Sequence, residues 1–95
     1  SNDEKYRKNN KILFETGQKN NMHIRNLCNR TITILYSGRQ SVRIILEPYQ
    51  SRTIVLPSGE YQVVATSPGV RSFYGTENLT GGDYESEYYI STSRH

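Results

Sequence analysis

The chain has 95 residues, of which 34% are hydrophobic and none is Trp. That is one domain's worth, and so short a chain buries a modest fraction of its surface, leaving stability marginal unless something staples the fold. A disulfide framework is excluded because Cys28 is the only cysteine, a Cys/His zinc site because His23 and His95 stand far apart, and a spanning helix because no apolar run approaches ~18 residues.

The net charge of +3 is unevenly placed. Residues 1–20 hold five basic and three acidic residues, and the remainder holds seven and six. All four lysines fall in the first segment, and the rest of the chain uses only arginine as its cation. The basic excess therefore reads as a property of an N-terminal arm, which argues against a nucleic-acid surface on the folded part.

Residues 1–21 read as a polar, flexible arm or linker ahead of a domain over 22–95. Residues 1–11 are charged and unpatterned. Ser1-Asn2 has the look of a tag scar. Ile12-Leu13-Phe14 is a brief apolar run suited to an extra edge strand, and Thr16 to Asn21 resembles linker. No signal-peptide pattern is present in this chain.

From Met22 the texture changes to short alternating runs, the signal of half-buried strands. After a first run over Met22 to Leu27, alternation points Ile32, Ile34 and Tyr36 inward, then Val42, Ile44 and Leu46 with Arg43 outward. Ile54 and Leu56 follow, then Tyr61, Val63 and Ala65 with Gln62 outward. Val70 to Thr76 forms another run. Tyr84, Tyr88 and Ile90 close the chain on one face, with Glu85, Glu87 and Tyr89 on the other. Ser37-Gly38, Glu47-Pro48, Pro57-Ser58-Gly59, Pro68-Gly69 and Gly81-Gly82-Asp83 punctuate these runs as turns. About seven short strands at this spacing, with no helical periodicity, predict an all-β fold: a single antiparallel β-sandwich of Ig-like or transthyretin-like type.

The stretch Ile54-Val55-Leu56-Pro57-Ser58-Gly59-Glu60-Tyr61-Gln62-Val63-Val64-Ala65 resembles the LPxGxYxVxA hairpin of bacterial accessory β-sandwiches, a hairpin that transthyretin-like and PEGA-like domains share. Leu35-Tyr36-Ser37-Gly38, Phe73-Tyr74-Gly75-Thr76-Glu77 and the strand Tyr88-Tyr89-Ile90-Ser91-Thr92 resemble a group of small uncharacterised bacterial extracytoplasmic modules. The resemblance covers about residues 22–92. It implies an accessory domain of a bacterial envelope or secreted protein, with no assigned activity and no catalytic residues to transfer.

No catalytic constellation stands out. Cys28 lacks a base in reach, because its odd separation from His23 puts the two on opposite faces of one strand, and a structural thiol is the simpler reading. His95 is terminal. Glu85 and Glu87 share a face at about 7 Å, a spacing open to Ca²⁺ or acid–base work, yet a solvated strand face with a cross-strand partner such as Arg71 accounts for them. The two sequons, at Asn29 and Asn78, are of the kind that Asn- and Thr-rich chains produce by chance. The expectation is no enzyme, no metal and no cofactor.

Tyrosine is the suggestive residue type. Tyr36, Tyr61, Tyr84 and Tyr88 fall on inward faces. Tyr49, Tyr74 and Tyr89, with Arg43, Arg52 and Arg71, are expected outward and form the candidate binding surface, since exposed Tyr and Arg dominate hot spots and suit stacking. The leading expectation is a non-catalytic interaction module taking a protein or glycan through these residues or through an open sheet edge. The alternatives are a single-stranded nucleic-acid binder on an OB-like barrel, with nucleic acid not expected on the charge argument, and a hydrolase built on Glu77, Asp83, Glu85 and Glu87.

Overall fold

The structure is a computed structural model that describes residues 2–14 and 19–94, with side-chain burial for 4–10 and 19–92. It is all-β, with eight strands: β1 (Asn2–Phe14), β2 (Lys19–Asn26), β3 (Ile32–Gly38), β4 (Val42–Leu46), β5 (Ser51–Pro57), β6 (Gly59–Ser67), β7 (Val70–Leu79) and β8 (Gly82–Arg94). No helix among the described residues is long and apolar enough to cross a membrane.

The strands form one sheet in the order β4-β3-β6-β7-β1-β8-β2-β5. Its two edges, β4 and β5, are consecutive in the chain and joined by the turn at Glu47-Pro48-Tyr49-Gln50, closed by Gln50 N donating to Glu47 O at 3.0 Å. The sheet thus curls into a nearly closed barrel. This corrects the expected seven-stranded antiparallel sandwich, and the cause is β1. It lies between β7 and β8 and links what would otherwise be a four-stranded sheet, β4-β3-β6-β7, and a three-stranded one, β8-β2-β5. Its pairing with β7 is parallel, as is that of β2 with β8.

The flexible arm is corrected for the same reason. Most of it is β1, one of the two longest strands, paired antiparallel with β8 from Asn2↔Arg94 to Phe14↔Asp83. β2 begins at Lys19, inside the expected linker, and residues 15–18 of that linker lie outside the described residues. Ile12 and Phe14 belong to this interior strand, not to an edge. The alternation in β1 was hidden because its buried side chains are Tyr6 and Lys8 and not aliphatics. Tyr6 is fully buried, its hydroxyl donating to Ser67 Oγ at 2.6 Å while Ser67 donates to Thr31 O at 2.6 Å.

Elsewhere the period-2 faces hold. Ile32, Ile34, Tyr36, Ile44, Leu46, Leu56, Tyr61, Val63, Ala65, Tyr84 and Tyr88 all enter the core, with Val42, Ile54, Phe73 and Ile90 packed against it. Two buried asparagines brace the ends of β2. Asn20 donates to Leu56 O at 3.0 Å and accepts from Gly81 N at 2.6 Å. Asn26 donates to Arg30 O and Glu47 O at 2.7 and 3.1 Å, and accepts from Cys28 N at 3.0 Å. Loops that would otherwise bury unpaired carbonyls are satisfied this way. Gly59 at φ 147° and Gly69 at φ 78° take conformations that a Cβ would disfavour, as the Pro57-Ser58-Gly59 and Pro68-Gly69 turns predict.

Candidate functional site

Two places concentrate chemistry, one on the outer surface and one in the barrel interior, and both lie at the seam between β1 and β7.

A single backbone bridge, Lys5↔Arg71, registers β1 against β7. Where the ladder does not continue, a cleft of about 360 Å³ opens, lined among others by Lys5, Arg7, Arg71, Phe73, Tyr74 and Tyr89. Its described lining contains no carboxylate. Arg7 stands directly across from Tyr89 in the β1–β8 ladder, and its Nε donates to Ser91 Oγ at 3.1 Å, which holds the guanidinium along β8. Tyr74 is 73% exposed, far beyond what packing requires. A second depression of about 260 Å³ adjoins the first through Tyr89, and Tyr49 sits in it with Leu27 and Asn29. Tyr49 is the one described non-glycine residue at positive φ, 62°, in a turn position that favours Gly or Asn. Holding a tyrosine there costs of order 1 kcal/mol, and the result is a ring 64% exposed.

Four of the six sequence-derived surface candidates therefore gather on one band across β7, β1, β8 and the turn between β4 and β5: Tyr49, Tyr74, Tyr89 and Arg71. Arg52 does not join them. It lines a separate cleft with His23, Arg25, Glu85 and Glu87. Arg43 lies opposite Leu35 on edge strand β4. Sequence reasoning missed Lys5 and Arg7, because both fell in the stretch read as an arm. The alternation Lys5-x-Arg7-x-Asn9 against inward Tyr6 and Lys8 was the available signal.

The acidic residues do not converge. Glu77 points into the barrel, Asp83 accepts from Asn21 Nδ2 at 2.7 Å with His23 Nε2 3.9 Å away, and Glu85 and Glu87 face outward. Arg71 is not the cross-strand partner of that face, because β8 pairs with β1 and β2 and not with β7. Among the described residues no group of three His, Cys, Asp or Glu is placed to hold a metal ion. Cys28 is buried, its thiol 3.8 Å from Tyr88 O, and burial pushes its pKa up, the direction opposite to that of an activated nucleophile.

The interior cluster is the feature that composition concealed. Lys8 Nζ lies 2.5 Å from Glu77 Oε1, with side-chain exposures of 1% and 8%. The ammonium also faces the rings of Tyr36 and Tyr88 at 5.6 and 5.5 Å from their centroids. Phe73 meets Tyr88 edge-on at 6.1 Å. Around the ion pair, Glu77 Oε2 and the hydroxyls of Tyr36 and Tyr88 make no hydrogen bond, nor does Lys8 Nζ beyond its ionic contact. Ser86, one pleat along β8, donates instead to Asn10 Oδ1 at 2.8 Å. Burial pulls the Lys8 pKa below the ordinary lysine value, with Glu77 opposing.

Burial, with the Glu77 charge adding to it, holds the Tyr36 and Tyr88 phenols above their ordinary value. A phenol that keeps its proton in the fold but loses it on unfolding contributes stability below its unfolded pKa of about 10, and that stability is lost as pH rises further. Lys8 acts oppositely, gaining stability up to the free lysine value of about 10.4 and no further. The urea midpoint is therefore expected to fall above about pH 10.5, each of the two tyrosines costing about 1.4 kcal/mol by pH 11. Phenolate absorbance measured alongside should show these two ionising only on unfolding. An unchanged midpoint with all tyrosines titrating near pH 10 would contradict the burial.

Compared with known protein families, curated proteins and solved structures, the chain matches none, so its function is read from this geometry.

Proposed function

We propose that this chain is a non-catalytic binding module whose outer band across β7, β1 and β8 holds an extended anionic partner, best suited to an acidic glycan. What supports the reading is one observation: Lys5, Arg7 and Arg71 share with Phe73, Tyr74 and Tyr89 a cleft whose described lining holds no carboxylate. Cations supply attraction and ion pairs to acid groups, and the exposed Tyr74 ring beside half-buried Tyr89 and Phe73 supplies stacking area at low entropic cost. The adjoining depression at Tyr49, where Glu4 is paired with Arg30 at 3.3 Å, extends the band beyond the cleft. The resemblance of the Ile54 to Ala65 hairpin to bacterial extracytoplasmic accessory domains fits a role beside other domains of an envelope or secreted protein.

A second reading, single-stranded nucleic acid, is favoured by the same basic and aromatic residues lying together on a barrel. The charge argument against it is weaker once Lys5 and Arg7 are part of the folded surface.

Titration with polyuronate and with single-stranded oligonucleotides, each at low and moderate salt, separates the two. For the glycan reading, polyuronate binds in preference, and Tyr74→Ala or Arg7→Ala weakens it about tenfold, in line with 1–3 kcal/mol for a stacking or hot-spot side chain. Oligonucleotide binding that is tighter and steep in salt selects the second reading. No binding to either, or binding indifferent to both substitutions, removes the band as a site.

A further inference from the structure

We propose that Lys8 and Glu77 become joined by an intramolecular amide between the lysine Nζ and the glutamate Cδ, a covalent staple across the β1–β7 seam. The seam is the place in the barrel where such a link has most to do. β1 and β7 run parallel, one backbone bridge registers them, and the Lys8–Glu77 contact spans the gap that the ladder leaves. Clefts open on both sides of it, one toward Arg7 and Tyr74, the other toward Asn10 and Thr76.

The reacting groups are already adjacent. Nζ stands 2.5 Å from Oε1, an oxygen bonded to the Cδ it would attack, and the rings of Tyr36 and Tyr88 flank the amine with centroids at 5.6 and 5.5 Å. Fixing two reactants in this way replaces a bimolecular step with effective molarities on the order of 10⁵–10⁸ M. Burial does the rest. With both side chains nearly withdrawn from water, burial pulls the Lys8 ammonium below its ordinary lysine value and so favours the amine that attacks, the proton it gives up staying with the carboxyl oxygen that later leaves.

The balance is simple. The Nζ lone pair attacks Cδ and an N–C bond forms. The Cδ–O bond to the carboxyl hydroxyl breaks, and that hydroxyl leaves with one amine proton as water. Nothing is oxidised or reduced, and no co-reactant is required. A product amide whose side-chain atoms are almost wholly withdrawn from water is protected from hydrolysis. The link also answers the size problem, since a chain with no disulfide gains a cross-link that encloses most of its length.

Intact mass of the full chain, measured under denaturing conditions, tests this. The expected result is a mass below that of the sequence by one water for most molecules, with a linked peptide pair containing Lys8 and Glu77 after proteolysis. Lys8→Arg keeps a cation but should return the full sequence mass, whether or not it folds. Glu77→Gln should lose one ammonia in place of water, because an amide is then the acyl donor. Wild-type protein at its full sequence mass after prolonged incubation in the folded state overturns the proposal, leaving an ion pair. So does a water deficit that persists in Lys8→Arg.

Discussion

Glu77→Ala is expected to destabilise the fold by about 3–5 kcal/mol, the cost of leaving a buried charge without its partner. The substitution strands Lys8 Nζ, which is 1% exposed and has no hydrogen bond to fall back on. Two aromatic faces at 5.5 and 5.6 Å offset only part of that loss. The expected relief is to expel the ammonium or deprotonate it, and either opens the β1–β7 seam, where only one backbone bridge resists. The double variant Lys8→Met/Glu77→Leu should recover most of the loss, because well-packed apolar residues replace a buried pair at little net cost. Urea unfolding of the two variants beside wild type measures this. A Glu77→Ala loss below about 1 kcal/mol would mean that the pair is solvated, as surface pairs are. Where the double variant falls short of wild type, the shortfall reports what a covalent link adds.

Tyr88→Ala is expected to cost a similar amount, about 3–5 kcal/mol, for a different reason. Tyr88 is fully buried and stands where the barrel's contents meet: Phe73 edge-on, Lys8 over its face, and Tyr36 beside it. Removing the ring leaves a cavity whose walls are β-strands paired on both sides, which cannot collapse to fill it. Tyr88→Phe separates packing from polarity. Because the hydroxyl makes no hydrogen bond, its deletion should change stability by less than about 1 kcal/mol. Thermal or urea unfolding of both variants decides the point. A Tyr88→Phe loss approaching that of Tyr88→Ala would show that the hydroxyl, and not the ring, carries the energy.

Both predictions turn on a cluster that composition hides, and particular residues explain why. Inward-facing Ile32-x-Ile34-x-Tyr36 and Tyr61-x-Val63-x-Ala65 were readable because apolar side chains at period two have one sensible destination. In β1 the same period runs through Tyr6-x-Lys8, and lysine has no such default. Only the presence of Glu77 on the facing strand makes the interior tolerable for Lys8. Once β1 lost its alternation it read as an arm, and Lys5 and Arg7 left the surface inventory with it. The site was thus half legible. Exposed Tyr49, Tyr74 and Arg71 and half-buried Tyr89 followed from strand parity and turn placement, whereas their cationic neighbours depended on a strand that local pattern did not reveal.

The sequence by itself determined an all-β chain, the turns that separate its strands and the inward faces of β3, β4, β6 and β8, because side-chain parity and turn chemistry act over a few residues. The tertiary structure alone decided that the strands close into a barrel and not a sandwich, and that β1 occupies its middle. It alone brought Lys8 to Glu77 and gathered Tyr49, Tyr74 and Tyr89 with Lys5, Arg7 and Arg71. Those outcomes depend on pairing between segments at opposite ends of the chain, and strand pairing at long range is set by the mutual burial of whole faces, which no local window contains.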